Sequence, residues 1–134
     1  MIHPHPKPGP RTKKPRYRTP RCDVRGCRRP QVVDAMCKSH RNERAWRALS
    51  LQVRSLGHCQ LKGMDAIRCG GGLQAAHIYP KGAYPRIKFD PANLLCICAG
   101  HHRYYTERWP AWREIVIRLI GQPALDELWS RSGA

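Results

Sequence analysis

Cys22, Cys27, Cys37 and His40 follow one another with intervals of four, nine and two residues, and the closing Cys-x2-His step recurs at Cys98 and His101. Two close pairs flanking a short loop can close on one tetrahedral ion, and thiolate and imidazole are the donors that Zn2+ prefers. The loop carrying the first quartet, RCDVRGCRRPQVVDAMCKSH, has too little apolar material to bury four unrelated residues. Seven cysteines are an odd number, and their place beside histidines argues for metal ligation over a disulfide framework. A chain of 134 residues builds only a modest core, so ligand bonds that close loops are a useful supplement.

Charge narrows the partner. The chain has 25 Lys and Arg against 9 Asp and Glu, a net charge of +16. Such an excess repels itself in a compact state and is best tolerated against a polyanion, which makes nucleic acid the expected partner. A membrane surface would call for a basic amphipathic anchor or a lipidation signal, and neither is evident. No apolar run reaches the length of a membrane span, and His3-Pro4-His5-Pro6-Lys7 lacks the apolar stretch of a secretory signal. A reducing cytoplasm is the expected location.

Composition and periodicity divide the chain into three expected segments: 1–20, 21–57 and 58–134. The first is a Pro-rich, flexible arm whose charges, among them Lys13, Lys14, Arg16 and Arg18, are all positive and suit phosphate contact. The second joins the Cys-rich knuckle to an amphipathic helix from Ser39 to about Leu56. There Ala45, Trp46, Leu49, Val53 and Leu56 form a packing stripe between arginines, and Gly57 ends the run. In the third, a turn at Gly70-Gly71-Gly72 precedes a strand over Leu73–Pro80, a basic loop, a second apolar run from Asn93 to Cys98, and a helix opening at AGHHRYYT. Strand, loop, strand and helix make a ββα unit. Helices from Trp109 to Ile120 and from Pro123 to about Ser130 follow, the first opened by Pro110 and broken by Gly121.

Within that unit Ala76-His77-Ile78, Asp90-Pro91-Ala92-Asn93-Leu94 and Cys98-x2-His101-His102 occur in order. This arrangement resembles the HNH, or His-Me finger, endonuclease family, in particular small phage and prophage HNH proteins with an extra N-terminal zinc knuckle. The resemblance implies an α+β fold: a small, zinc-stabilised ββα-metal core with flanking helices. It implies metal-dependent nicking or cutting of DNA, with His77 as general base, Asn93 bonding backbone across the ββ loop, and His102 as ligand of a catalytic Mg2+, Mn2+ or Ni2+. It also implies a second structural zinc on Cys59, Cys69, Cys98 and His101. Strand alternation puts Cys96 on the same face as Cys98 and cannot by itself exclude it, but the family spacing implies Cys98 and leaves Cys96 a buried thiol.

The chemistry suits those residues. Phosphodiester hydrolysis needs a base for water and a cation for the developing charge, and an imidazole neutral near pH 7 can accept the proton. One departure stands out: many relatives carry Asp or His before the base, where this chain has Ala76. The catalytic ion then rests on His102, water and phosphate, with the Asn93 carbonyl and Asp90 as candidate further donors. Lys81, Arg86 and Lys88, interleaved with Tyr79, Tyr84 and Phe89, are the expected backbone contacts on DNA, joined by Arg103 and Arg108. A different class of function, a non-catalytic zinc-finger DNA-binding protein on the same scaffold, remains open because of Ala76.

If phosphate contacts dominate, binding weakens steeply with salt, and removing residues 1–20 lowers affinity and flattens the salt slope. A titration of Kd against NaCl concentration checks this; an unchanged slope makes the arm a passive tail.

Overall fold

The computed structural model describes residues 20–32 and 35–134, so Lys13, Lys14, Arg16 and Arg18 lie outside the described residues. The described residues fall into two compact units, divided between Arg41 and Asn42. In the first, a bridge between Arg21 and Pro30 closes a loop in which the Cys22 N–H donates to Arg29 O at 2.9 Å and the Cys27 N–H to Val24 O at 2.9 Å.

Helix α1 spans Lys38–Arg54. It buries no residue completely: Trp46, Leu49 and Val53 are half-buried, while Ala45 and Leu56 are exposed. The packing stripe is therefore narrower than its sequence suggested. About one apolar residue per turn covers less than the 100° that a helix needs to sit firmly on a core.

The second unit is organised around a two-stranded antiparallel sheet, β1 (Leu73–His77) and β2 (Leu94–Cys98), in a register that pairs Leu73 with Cys98 and His77 with Leu94. The apolar pattern led to a β1 running on to Pro80, but the strand stops at His77. The reason lies one step further on: the Ile78 N–H still donates to Asn93 O at 2.8 Å, but the return bond is missing, because the Asn93 N–H goes to Asp90 O and Ile78 O accepts from Trp112 Nε1. Every residue of β2 is buried. Short 3-10 turns at Pro85–Ile87 and Pro91–Asn93 shape the connecting loop.

Helix α2, Ala99–Tyr105, begins directly from β2. Its first N–H groups would otherwise be orphans. The Ala99 N–H donates to Gly72 O and the Gly100 N–H to Gly70 O, both at 2.9 Å, and the His101 N–H points at Cys98 Sγ at 3.4 Å. The glycine turn before β1 thus caps the helix after β2. Helices α3 (Trp109–Ile120) and α4 (Gln122–Arg131) complete the core with Trp112, Ile115, Val116, Leu125 and Leu128, packed around Leu61, Ile78, Ile87 and Ile97. Trp112 Nε1 donates to Ile78 O at 3.0 Å, tying α3 to the end of β1. Among the described residues no helix is long and apolar enough to cross a membrane.

Gly71 has φ of +75°, and a Cβ there would stand 2.8 Å from the Ala99 Cβ. Gly71→Ala therefore combines a left-handed backbone with a clash against the start of α2, and it should destabilise the fold by roughly 1–3 kcal/mol. Urea unfolding of the zinc-loaded protein measures the loss; an unchanged midpoint would refute the tight turn.

Candidate active site and metal centres

Both predicted quartets come together. Cys22, Cys27, Cys37 and His40 place their ligand atoms within 4.8 Å of one another, as do Cys59, Cys69, Cys98 and His101. In the first, His40 Nδ1 is 3.4 Å from the sulfurs of both Cys22 and Cys37, and Cys27 Sγ is 3.9 Å from Cys37 Sγ. In the second, His101 Nδ1 lies 3.6, 3.6 and 3.1 Å from the sulfurs of Cys59, Cys69 and Cys98. A tetrahedron built on ordinary Zn–S and Zn–N bonds has edges of about 3.5–3.8 Å, so both donor sets fit zinc in size and in chemistry. Burial pushes the Cys98 thiol up, yet backbone N–H groups of His101 and Gly70 and the His101 ring outweigh it and bring it down to about 6. Cys22 is likewise lowered to about 6 against burial, by backbone N–H groups of Cys37 and Val24 and by His40. Thiols so lowered are ready metal ligands near neutrality.

Cys96 lies outside the cluster. It is 1% exposed, and burial raises its thiol above the ordinary value. The face shared by Cys96 and Cys98 did not decide between them; the helix start does, because Cys98 is the N-cap of α2 and its sulfur turns toward His101. On the far side of the His101 ring, Nε2 meets Asp65 Oδ1 at 3.0 Å, and the Tyr105 hydroxyl donates to Asp65 Oδ2 at 2.5 Å. A carboxylate behind a ligating imidazole fixes its tautomer and raises its basicity. The nine residues between Cys59 and Cys69 therefore deliver Asp65 as well as closing a loop.

Beside this centre Ala76, His77, Lys81, His102, Glu107 and Trp109 line an open cleft of about 390 Å3. His77 Nε2 lies 2.9 Å from Lys88 O; a carbonyl only accepts, so Nε2 carries the proton and Nδ1 keeps the lone pair. Burial lowers the His77 pKa, the Lys88 carbonyl partly restores it, and the charges of Lys81 and His102 lower it further. Trp46 stacks on the same imidazole, with ring centroids 5.0 Å apart and planes 17° from parallel. His102 Nδ1 meets Gln74 Oε1 at 2.7 Å, which by the same logic leaves Nε2 as the free donor atom.

Asn93 is wholly buried and fully used. Its Oδ1 accepts from the Tyr79 N–H at 2.8 Å, and its Nδ2 donates to Tyr79 O and Ile87 O at 3.1 Å each. The suggestion that its carbonyl also serves a metal is thus corrected: the oxygen is engaged and shut away. Asp90 is corrected likewise, since its side chain accepts from the Ala92 N–H and pairs with Arg131 at 3.2 Å.

A family model described as HNH endonuclease matches residues 22–110, from the first metal-ligand cysteine to the opening of α3. The chain belongs to the HNH endonuclease family. Searches of curated proteins and of solved structures return no match. Membership carries a nuclease-type function in general terms, and the ββα unit holding His77, Asn93 and His102 falls inside the matched span.

Of the basic residues read from the sequence as DNA contacts in this HNH protein, Lys81 and Lys88 stand beside His77, lining one pocket with it and Trp46. Arg86 is elsewhere, its guanidinium against Gly133 near the C-terminus. Arg103 is exposed on α2, and Arg108 folds back over the Tyr104 ring, 4.6 Å from its centroid. Sequence reasoning missed Gln74, Asp65, Trp46 and Glu107. Only Asp65 had a signal, as the one acid between Cys59 and Cys69 in a chain poor in acids.

Elemental analysis should find two zinc ions per chain, falling to one in Cys69→Ser. Asp65→Asn should keep both sites but weaken the second by about 10–100-fold, the usual cost of losing an outer-shell carboxylate. One ion in the wild type would break the second assignment.

Proposed function

We propose that this HNH protein hydrolyses DNA phosphodiester bonds with the help of a divalent cation, nicking or cutting the duplex. The observation that carries the reading is the His77 ring, held through Nε2 by the Lys88 carbonyl so that Nδ1 alone can take a proton. Burial and neighbouring positive charge keep that ring neutral near pH 7, the state a general base needs. Trp46 restrains its plane, and Asn93 is a positioning residue that ties Tyr79 and Ile87 across the loop in which Lys88 sits.

His102 offers Nε2 to the catalytic ion, with Gln74 holding the ring from behind. Glu107 is the one carboxylate lining the cleft. So sparse a donor set suits an ion such as Mg2+, Mn2+ or Ni2+ that keeps several waters and completes its shell with substrate phosphate. When bound, the ion supplies positive charge at the phosphate and at the departing oxygen. Lys81 and Lys88 beside His77, with Arg103 on α2 and Arg108 at the start of α3, are suited to hold the backbone on either side. A second reading, a DNA-binding protein without catalysis, draws on Ala76, an apolar residue 1% exposed where relatives carry a ligand.

Incubation of supercoiled plasmid with Mg2+, Mn2+ or Ni2+ separates the two. Cleavage should fall about 10²–10⁴-fold in His77→Ala with zinc content unchanged. Because the His77 pKa is lowered, its neutral form persists into mild acid, and the acid limb of the rate profile should lie below the ordinary histidine value of about 6.5. A wild type that cuts nothing, or a His77→Ala that cuts equally well, leaves the DNA-binding reading.

A further inference from the structure

A further open cavity, of about 270 Å3, has Tyr79, Trp109, Arg113, Gln122, Asp126 and Trp129 among its lining residues. Trp109 also lines the cleft that holds His77 and His102, so the two spaces share one indole. Tyr79, 6% exposed, is the floor of the cavity. Trp109 and Trp129 both lean on it, with ring centroids 5.5 Å away and planes at 39° and 51°. Yet these two indoles remain 41% and 43% exposed. Large aromatic surface held rigid from behind and open in front is the form of a stacking platform.

The polar rim narrows what stacks there. The rim carries both signs, Arg113 and Asp126, so it offers no net negative charge to a cation, the guest that an aromatic cage otherwise favours. Gln122 Nε2 donates to Asp126 Oδ1 at 2.7 Å, and the pair offers further donors and acceptors at the edge of the aromatic floor. Flat apolar faces, edge-on hydrogen-bonding groups and continuity with a cleft in a chain of net charge +16 match one chemical class, the nucleobase of a strand already held by its phosphates. A paired base presents no free face, so the guest must be unstacked from its duplex.

We propose that this cavity receives one unpaired nucleobase of the DNA whose backbone crosses the His77–His102 cleft. The proposal rests on the DNA-cleavage reading for the path of the strand, and adds a substrate preference: duplex with a mismatched, bulged or orphaned base over fully paired duplex. Trp109 and Trp129 stack the base, and Arg113, Gln122 and Asp126 meet its edge.

The test compares a fully paired duplex with the same duplex carrying one base opposite an abasic position, using the zinc-loaded chain without added divalent metal or chelator. Tryptophan quenching and Kd are read together. The wild type should bind the orphan-base duplex roughly tenfold or more tightly, the usual scale of base–aromatic stacking. Trp129→Ala should bring that ratio close to one, and Trp129→Phe, which preserves the packing on Tyr79, should keep part of it. Equal affinity of the wild type for the two duplexes overturns the pocket and leaves the cleavage reading standing, as does a full preference in Trp129→Ala. A preference that Trp129→Ala loses, in a protein that cuts nothing, supports the pocket and removes only the cleavage reading.

Discussion

The junction of β2 and α2 governs the second unit of this molecule. At one point Cys98 ends the strand, caps the helix and turns its sulfur to His101, while Cys59 and Cys69 arrive from an earlier loop to complete the quartet. A helix of seven residues has little stability of its own, because few backbone bonds offset the cost of nucleating it. Here glycine-turn carbonyls satisfy its first N–H groups, and the metal-ready cluster fixes its origin. His102 is the next residue along, so the same anchorage that seats His101 also aims the neighbouring imidazole into the cleft. His101 and His102 are adjacent in sequence but face different surroundings, one the cysteine cluster and the other the cleft.

The loop between the strands is controlled from inside by Asn93. A charged or exposed residue in that place could not satisfy two carbonyls and an N–H at zero exposure, and burying those groups unmet would be costly. The carboxamide supplies one acceptor and two donors in one plane, which is what the backbone there lacks. With the loop pinned at Tyr79 and Ile87, the next carbonyl, that of Lys88, is brought to His77 Nε2. Order in the hydrophobic interior is thus transmitted to the protonation state of a half-exposed ring.

Much of this was legible in sequence because it depends on spacing. The two quartets, the ββα unit and the span of α3, started by Trp109-Pro110 and ended by Gly121, are set by local punctuation. What escaped depended on side chains meeting across the fold. Nothing in LQAAH says that Gln74 faces a histidine on α2, and nothing in the α1 stripe says that Trp46 lies on His77. Alternation could not separate Cys96 from Cys98, because the difference arises at a cap and not along a strand. The end of β1 differs from the apolar pattern for a similar reason: the Trp112 side chain takes Ile78 O, and the Asn93 N–H turns to Asp90, so the next ladder bond is not made.

The Asp65–His101 contact couples the nuclease core to the Tyr105 hydroxyl and, through the Tyr105 ring, to Trp112, 5.5 Å away in the middle of the hydrophobic core. With zinc bound there, a chelator that emptied the second quartet would leave the half-buried Asp65 carboxylate facing an imidazole with no ion to hold it, and would loosen the helix that carries His102. Inhibition by EDTA would then report collapse of the scaffold as readily as loss of a reactive ion. For this protein, adding back zinc alone and then zinc with magnesium tells the two apart, because thiolate and imidazole quartets suit zinc and not magnesium.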